Sequence, residues 1–270
     1  MDDNETYQLF AIRYCSRSAQ RNEFFLGGDT TKEMNLDYFA FLAKNDRRSI
    51  PIDTGFPPAG GNILGRRYLR CPIETLKELG VDPEDVSDVV LTHLHNDHAG
   101  NIGRFRRAKF HVQEKEVRFA VGPAMRHKIF SRHYNPEDVA LIAKLNFDGR
   151  VEMYNGSMII APGISVDHVG GHSAGSQIVK IQTARGPVVI IGDAGHLYEN
   201  IFTQRPCPIT YHVGEMMDAF ETILQNVPTT DHIIPGHDPS LMHLYPPAAR
   251  GLEGAVVRLD LPPCHLDQKD

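Results

Sequence analysis

Residues 91–101 read LTHLHNDHAGN, and they place His93, His95, Asp97 and His98 directly behind the apolar run Val89, Val90 and Leu91. Polar groups at the end of a buried strand are costly unless something compensates their lost hydration. A strand that persists through His95 gives His93 and His95 the same parity, so both imidazoles project to one face. Asn96 then begins the turn, and Asp97 and His98 come from a loop leading into a helix. Two imidazoles aim at one point, a carboxylate and a third imidazole at its neighbour. Imidazole and carboxylate suit Zn²⁺ and similar divalent ions, which turn uncompensated polar groups into ligands.

Further candidates recur where later strands run out. VGGHSAG presents His172 among small residues that allow close backbone approach, VVIIGDAGH presents Asp193, and IIPGHD presents His237. Taken singly, a histidine after a strand is more often a satisfied core or surface residue, and an aspartate there a turn former. The HxHxDH cluster is different, because four ligand-type residues at this spacing rarely arise from packing. Joined to it, the later three complete a set of five histidines and two aspartates. One tetrahedral ion cannot use seven ligands; two ions sharing a bridging carboxylate fit the count.

The rest of the chain supplies a scaffold for these strand ends. YQLFAIRY, LDYFAFLAK, SIPIDTG, VSDVVLTH and AKFHVQ read as strands, as do MIIAPGISVDHV, SQIVKIQT, GPVVIIGDA and DHIIPGHD. CPIETLKELG, EKEVRFAV, NPEDVALIAKLNF and GEMMDAFETILQNV read as helices, with Gly80 stopping the first and Asn135 capping the third. PPAGGNILG is a loop, and residues 122–135 are irregular. Strands and helices alternate in both halves, which predicts an α/β fold: two packed sheets with helices outside, a four-layer αββα sandwich in one domain over 1–270. The tail from Pro246 reads as a surface extension.

Composition narrows the functional classes. The chain has 270 residues, a net charge of −6, and fourteen histidines against no tryptophan. That charge gives no reason to expect nucleic acid or an anionic membrane as partner. No apolar run approaches the ~20 residues that span a bilayer, and no secretory signal is visible. Four scattered cysteines without a CxxC suit a reduced, cytoplasmic chain.

In this order, THLHNDHAGN, GGHSAGS, IIGDAGH and PGHD resemble the metallo-β-lactamase superfamily, and within it the N-acyl-homoserine lactonases. The IDTG at Ile52–Gly55 matches too, placing Asp53 beside the metal loop. The resemblance implies that His93, His95 and His172 hold one ion and Asp97, His98 and His237 the other, with Asp193 bridging. It implies zinc by default, with Mn, Co or Fe acceptable to the same donors. It further implies ring opening of a lactone, with Asp97 passing a proton to the leaving oxygen. Glyoxalase II-type thioesterases share the metal set, so a thioester or cyclic amide substrate stays open. Persulfide dioxygenases share the fold with one iron. One departure stands out: where lactonases often carry a tyrosine after the bridging aspartate, this chain has His196, with Tyr198 two residues on. His196 would either donate to the substrate carbonyl or support the ligands.

The remaining features read plainly. His168 would orient His172 or pack beneath it. His111, His127, His133, His212, His232, His243 and His265 have no ligand spacing, and the EKEVR and RFRR runs read as solvated faces. Two segments are candidates for the wall around a small-molecule substrate: residues 16–34, with Phe24 and Phe25, and residues 122–135, with Met125, Phe130, His133 and Tyr134. The same side chains would serve equally as a lid or as the contact of a homodimer.

Overall fold

Strand β1 (Gln8–Gln20) shows how the layers arise. Its Leu9 and Ala11 face one core and its Phe10 and Ile12 another, as the two-residue period of a strand requires. In the computed structural model, which describes residues 5–61 and 65–264, β1 lies within an eight-stranded sheet. Its members are β2 (Glu33–Lys44), β3 (Ser49–Ile52), β4 (Arg67–Tyr68), β5 (Asp88–Val90), β6 (Lys109–Gln113), β7 (Val151–Tyr154) and β13 (Val256–Arg258). The path runs β13-β1-β2-β3-β5-β6-β7, with β4 paired to β1. The second sheet runs β12 (Ile233–Pro235), β11 (Gly186–Gly192), β10 (Gln177–Thr183), β9 (Ile164–His168) and β8 (Met158–Ala161).

Leu9, Phe41, Ile52 and Val90 of the first sheet meet Val166, Val179, Ile181 and Ile190 of the second in a shared core. On the outer face of the first sheet pack α2 (Pro72–Glu78), α4 (Glu114–Ala120) and α6 (Pro136–Phe147), through Ile73, Leu76, Val117, Val139 and Ile142. On the outer face of the second packs α8 (Val213–Gln225), through Met216, Phe220 and Ile223. This is the four-layer αββα sandwich. Each fully buried aliphatic or aromatic side chain contributes about 1.5–3 kcal/mol, so charged groups are driven to the strand ends.

Short helices fill the connections: α1 (Pro58–Gly61), α3 (Asn96–Ala99), α5 (Lys128–Ser131), α7 (Tyr198–Phe202) and α9 (Leu241–Leu244). Residues 58–61 of the expected PPAGGNILG loop are therefore helical, and 62–64 lie outside the described residues. The caps behave as read: Gly80 has φ +73° behind α2, and the Asn135 side chain accepts from Glu137 N at the start of α6.

The stretch 122–135, expected to be irregular, likewise holds a 3-10 turn at Pro123–Arg126 and the helix α5. Two further expectations fail. The stretch from Pro246 is not a surface extension: β13 pairs with β1, Leu259 is buried, and the Asp260 carboxylate accepts from Leu9 N at 3.1 Å. An edge strand of three residues leaves too little pattern to recognise between paired prolines. Nor does β5 persist through His95; it ends at Val90, because Thr92 N turns to donate to Asp53 Oδ1 at 2.7 Å instead of continuing the ladder. Among the described residues, no helix is long and apolar enough to cross a membrane.

Candidate metal centre

The irregular backbone from Leu91 to His95 still brings His93 and His95 together, with ring centroids 4.5 Å apart. Asp97 and His98 sit on the single turn of α3. His172 comes from the loop after β9, Asp193 directly after β11, and His237 two residues after β12. All seven sequence candidates meet at one rim of the sandwich. Their ligand-type atoms fall into two groups within 4.8 Å: His93, His95, His172 and Asp193, then Asp97, His98 and His237. A third such group joins Asp193, His196 and His237.

Asp193 divides its carboxylate between the halves. Oδ2 lies 3.2 Å from His172 Nε2 and 3.9 Å from His93 Nε2, while Oδ1 lies 3.0 Å from His237 Nε2 and 3.3 Å from His98 Nε2. Close approach of Gly236 permits this, since a Cβ there would sit 2.7 Å from Asp193 Oδ1.

Groups outside the centre fix the ring orientations. His98 Nδ1 donates to Asp53 Oδ2 at 2.7 Å, His172 Nδ1 to Ile209 O at 2.8 Å and His237 Nδ1 to Asp37 O at 2.8 Å. His93 Nδ1 lies 3.1 Å from Thr92 Oγ1, which itself donates to Asp53 Oδ2 at 2.8 Å. With protons held on Nδ1, the Nε2 lone pairs point inward. His93 Nε2, His98 Nε2 and Asp193 Oδ1 are buried without a hydrogen-bond partner. Inward lone pairs on orphaned buried atoms, arranged in two groups around a shared carboxylate, fit two divalent ions.

The electrostatics agree. Burial pushes His93 and His95 well below the usual imidazole range and keeps them neutral. Burial opposes charge on His98 and His237 as well, but Asp193, aided by Asp53 or Asp97, outweighs it and raises both. Burial would also raise Asp193, yet the surrounding histidines, His196 and His237 foremost, hold it well below the carboxylate range. Asp97 is lowered against burial by His98 and Arg66. Arg66 Nη2 lies 3.7 Å from Asp97 Oδ2, and Tyr14 OH donates to the Asp97 carbonyl at 2.6 Å.

His196 is buried with Nε2 3.2 Å from Asp193 Oδ2, its ring stacked 5.3 Å from His237, and Nδ1 without a partner. Tyr198 does not stand in for a site tyrosine, because its hydroxyl donates to Ile233 O at 3.0 Å. His168 bonds Ala174 O at 3.0 Å and braces its own loop; Ile209 O, not His168, orients His172.

The sequence reading missed two neighbours, Arg66 and Glu116. His133, given no ligand role but named with the candidate wall, packs its ring 5.3 Å from His95 and is pushed down to about 4, chiefly by burial. Arg66 carried no signal beyond an adjoining arginine. Glu116, assigned to a solvated run, is fully buried, whereas Arg106 and Arg107 of the RFRR run are indeed exposed. A fully buried glutamate flanked by lysine and valine on a helix is visible only as the apolar-face position i+3 before Phe119. His265 lies outside the described residues.

A narrow cavity of about 50 Å³ opens beside His95 and His172, lined by Phe119, Ile129, Phe130, Arg132, His133, Tyr134, Ile209 and Tyr211. Of the segment 122–135, Ile129, Phe130, Arg132, His133 and Tyr134 line this cavity, while Met125 packs against the core. In the other segment, Phe25 is buried and Phe24 places its ring 5.7 Å from His196.

Comparison with known proteins agrees with this geometry. Residues 36–237 match the family model of the metallo-beta-lactamase superfamily. An N-acyl homoserine lactonase, AiiB, of Agrobacterium fabrum is 32% identical over 193 residues, covering 63% of this chain and 67% of the relative. An N-acyl homoserine lactonase of a Bacillus species is 28% identical over 188 residues, 64% of this chain and 70% of the relative. The crystal structure of a quorum-quenching N-acyl homoserine lactone lactonase superposes with a TM-score of 0.73 at 23% identity, covering 87% of this chain and 94% of that one. Sequence motifs, layer order and the convergence of strand ends thus lead to one assignment: the chain belongs to the metallo-β-lactamase superfamily, among its N-acyl homoserine lactonase relatives.

Proposed function

We propose that the chain is a single-domain, dinuclear-metal hydrolase that opens the ring of a lactone, an N-acyl homoserine lactone or a similar small one. The observation that carries this reading is the split of the Asp193 carboxylate between two groups of inward-facing histidines. His93, His95 and His172 would hold one ion and Asp97, His98 and His237 the other, with Asp193 shared. Zinc suits these nitrogen and oxygen donors best. When bound, such a pair of ions supplies Lewis acidity toward a carbonyl and a water that ionises near neutral pH.

The chain's own groups do the rest. Asp97, kept ionised by His98 and Arg66 and partly open to the site, takes up a proton and returns it to the leaving alkoxide oxygen. Ring opening leaves the new alcohol and acid in one molecule, and ionisation of that acid releases the second proton of the attacking water. His196, with Nε2 3.2 Å from Asp193 Oδ2, braces the shared carboxylate, and its unpartnered Nδ1 is the atom left for a substrate group. The aromatic and aliphatic wall beside His95 and His172 receives an apolar substituent such as an acyl chain, and Arg132 and His133 meet its polar end.

The test is a panel of lactones, thioesters and cyclic amides offered to the two-metal protein, with acid release followed by pH-stat. The highest kcat/KM is expected for lactones with an acyl or aryl substituent. A thioester ranking first would overturn the substrate class. One iron per chain with oxygen consumption would overturn hydrolysis altogether.

A further inference from the structure

We infer that Glu116 is the positioning residue of the first-ion half of the site, fastening all three of its histidines and the pocket wall to one buried carboxylate. The inference rests on the ligand assignment proposed above. Glu116 is 0% exposed, on α4. Its Oε1 accepts from Leu94 N at 3.0 Å and from Tyr134 OH at 2.9 Å. Its Oε2 accepts from Ser173 Oγ at 2.7 Å and from Gly175 N at 2.9 Å. Leu94 separates His93 from His95, and Ser173 follows His172. One carboxylate therefore grips both chain segments that carry the histidines assigned to the first ion.

The packing is as specific as the hydrogen bonding. A Cβ on Gly175 would lie 2.3 Å from Glu116 N and 2.6 Å from Glu116 Cα, so the loop after His172 seats directly against the helix backbone. No lysine, arginine or histidine among the described residues pairs with Glu116. Four donors, rather than a cation, compensate the lost hydration of this buried side chain. The second-ion ligands are held by other groups: His98 by Asp53, His237 by Asp37 O, and Asp97 through Tyr14. A defect at Glu116 should therefore fall on one ion.

The experiment uses the full chain loaded with Co²⁺, whose visible absorption reports the ligand field at each site, and compares Glu116→Gln, Glu116→Asp and His93→Ala. Glu116→Gln places an amide NH₂ against two donors and should leave one of two ions retained about 10–100-fold less tightly on dialysis, with a changed spectrum and a fall in kcat. Glu116→Asp should restore part of that retention. Should Glu116→Gln fail to fold, Ser173→Ala and Tyr134→Phe each remove one donor and are read in the same way. Folded Glu116→Gln with two tightly held Co²⁺ and an unaltered spectrum would overturn the inference, as would unchanged retention in both single-donor variants. His93→Ala separates the two levels. If it too keeps both ions, the ligand assignment falls; if it loses one while Glu116→Gln keeps both, only the role of Glu116 falls.

Discussion

Asp53 and Glu116 are both fully buried carboxylates that accept hydrogen bonds around the same centre, yet they are built from different kinds of contact. Asp53 sits just after β3, in the left-handed region at φ +60°, and bonds Thr92 N, Thr92 Oγ1 and His98 Nδ1. All its partners come from the end of the adjacent parallel strand and the helical turn behind it. Glu116 sits on a helix and collects partners 18, 22, 57 and 59 residues away. The Asp97 and His98 part of the second-ion half can thus form once β3 and β5 pair, with His237 arriving later from beyond β12 onto Asp37 O, whereas the first-ion half needs a helix, a distant loop and the pocket wall to dock together. The comparison teaches that the two halves of one centre differ in how much of the fold each requires.

The largest expected effect removes the element both halves share. Asp193→Asn should lose both ions and lower kcat/KM by more than about a thousandfold, beyond the ~100-fold typical of groups that only orient ligands. Full turnover in an ion-depleted Asp193→Asn protein would break the comparison at its root.

Stripping the ions with a chelator should lower stability by about 4 kcal/mol for an ion held at a thousand times its Kd. The pH dependence of that gap separates the halves. His98 and His237 have raised folded values, so without ions their contribution is complete below the unfolded value of 6.5 and is lost as pH rises through the folded values. His93 and His95 are lowered, so above 6.5 they are neutral folded or unfolded and contribute no slope. The difference in Tm between loaded and stripped protein should therefore widen above pH ~6.5. A constant difference would remove the electrostatic distinction between the halves.

Asp53→Asn keeps a residue that tolerates positive φ but loses a carboxylate oxygen. It should weaken retention of the second ion by about 10–100-fold and, acting on His93 only through Thr92, that of the first by less, which metal analysis after dialysis would show. Equal weakening of both ions would merge the two halves into one.

The smallest effect serves as a control on β5 itself. A hydrogen bond from His111 Nε2 at 2.8 Å holds the Asp88 carboxyl below its usual 3.8, so the pair stabilises the fold above that pH and the gain is lost as pH falls through the folded value. Asp88→Asn should cost under about 1 kcal/mol at pH 7, converge with the parent protein in acid, and retain both ions, as denaturant titration and metal analysis would show.

How much of this was legible follows the same division. Every ligand-type residue was readable because each stands where an apolar run stops, and the layers were readable because β1, β2, β10 and β11 carry clear burial patterns. Asp53 was readable through the resemblance that IDTG carries, although its partners lie 39 and 45 residues away. Glu116 was not, because EKEVR has the charge of a solvated helix and its partners lie in loops whose approach only the packed fold reveals. Arg66 was missed for the same reason. The strand drawn through His95 erred on a local competition, in which the Asp53 carboxylate captures Thr92 N and bends the backbone away.

Tyr134 belongs both to the cavity wall and to the hydrogen-bond set of Glu116. Its neighbours Ile129 and Phe130 have no such second attachment, so they are free to change with the size of the guest. Widening the opening at Tyr134 would instead slacken the grip on an ion, which makes this residue the point where a broader diet and a durable cofactor come into conflict. Divergence of substrate range in this protein should run along the outer wall and stop at that tyrosine.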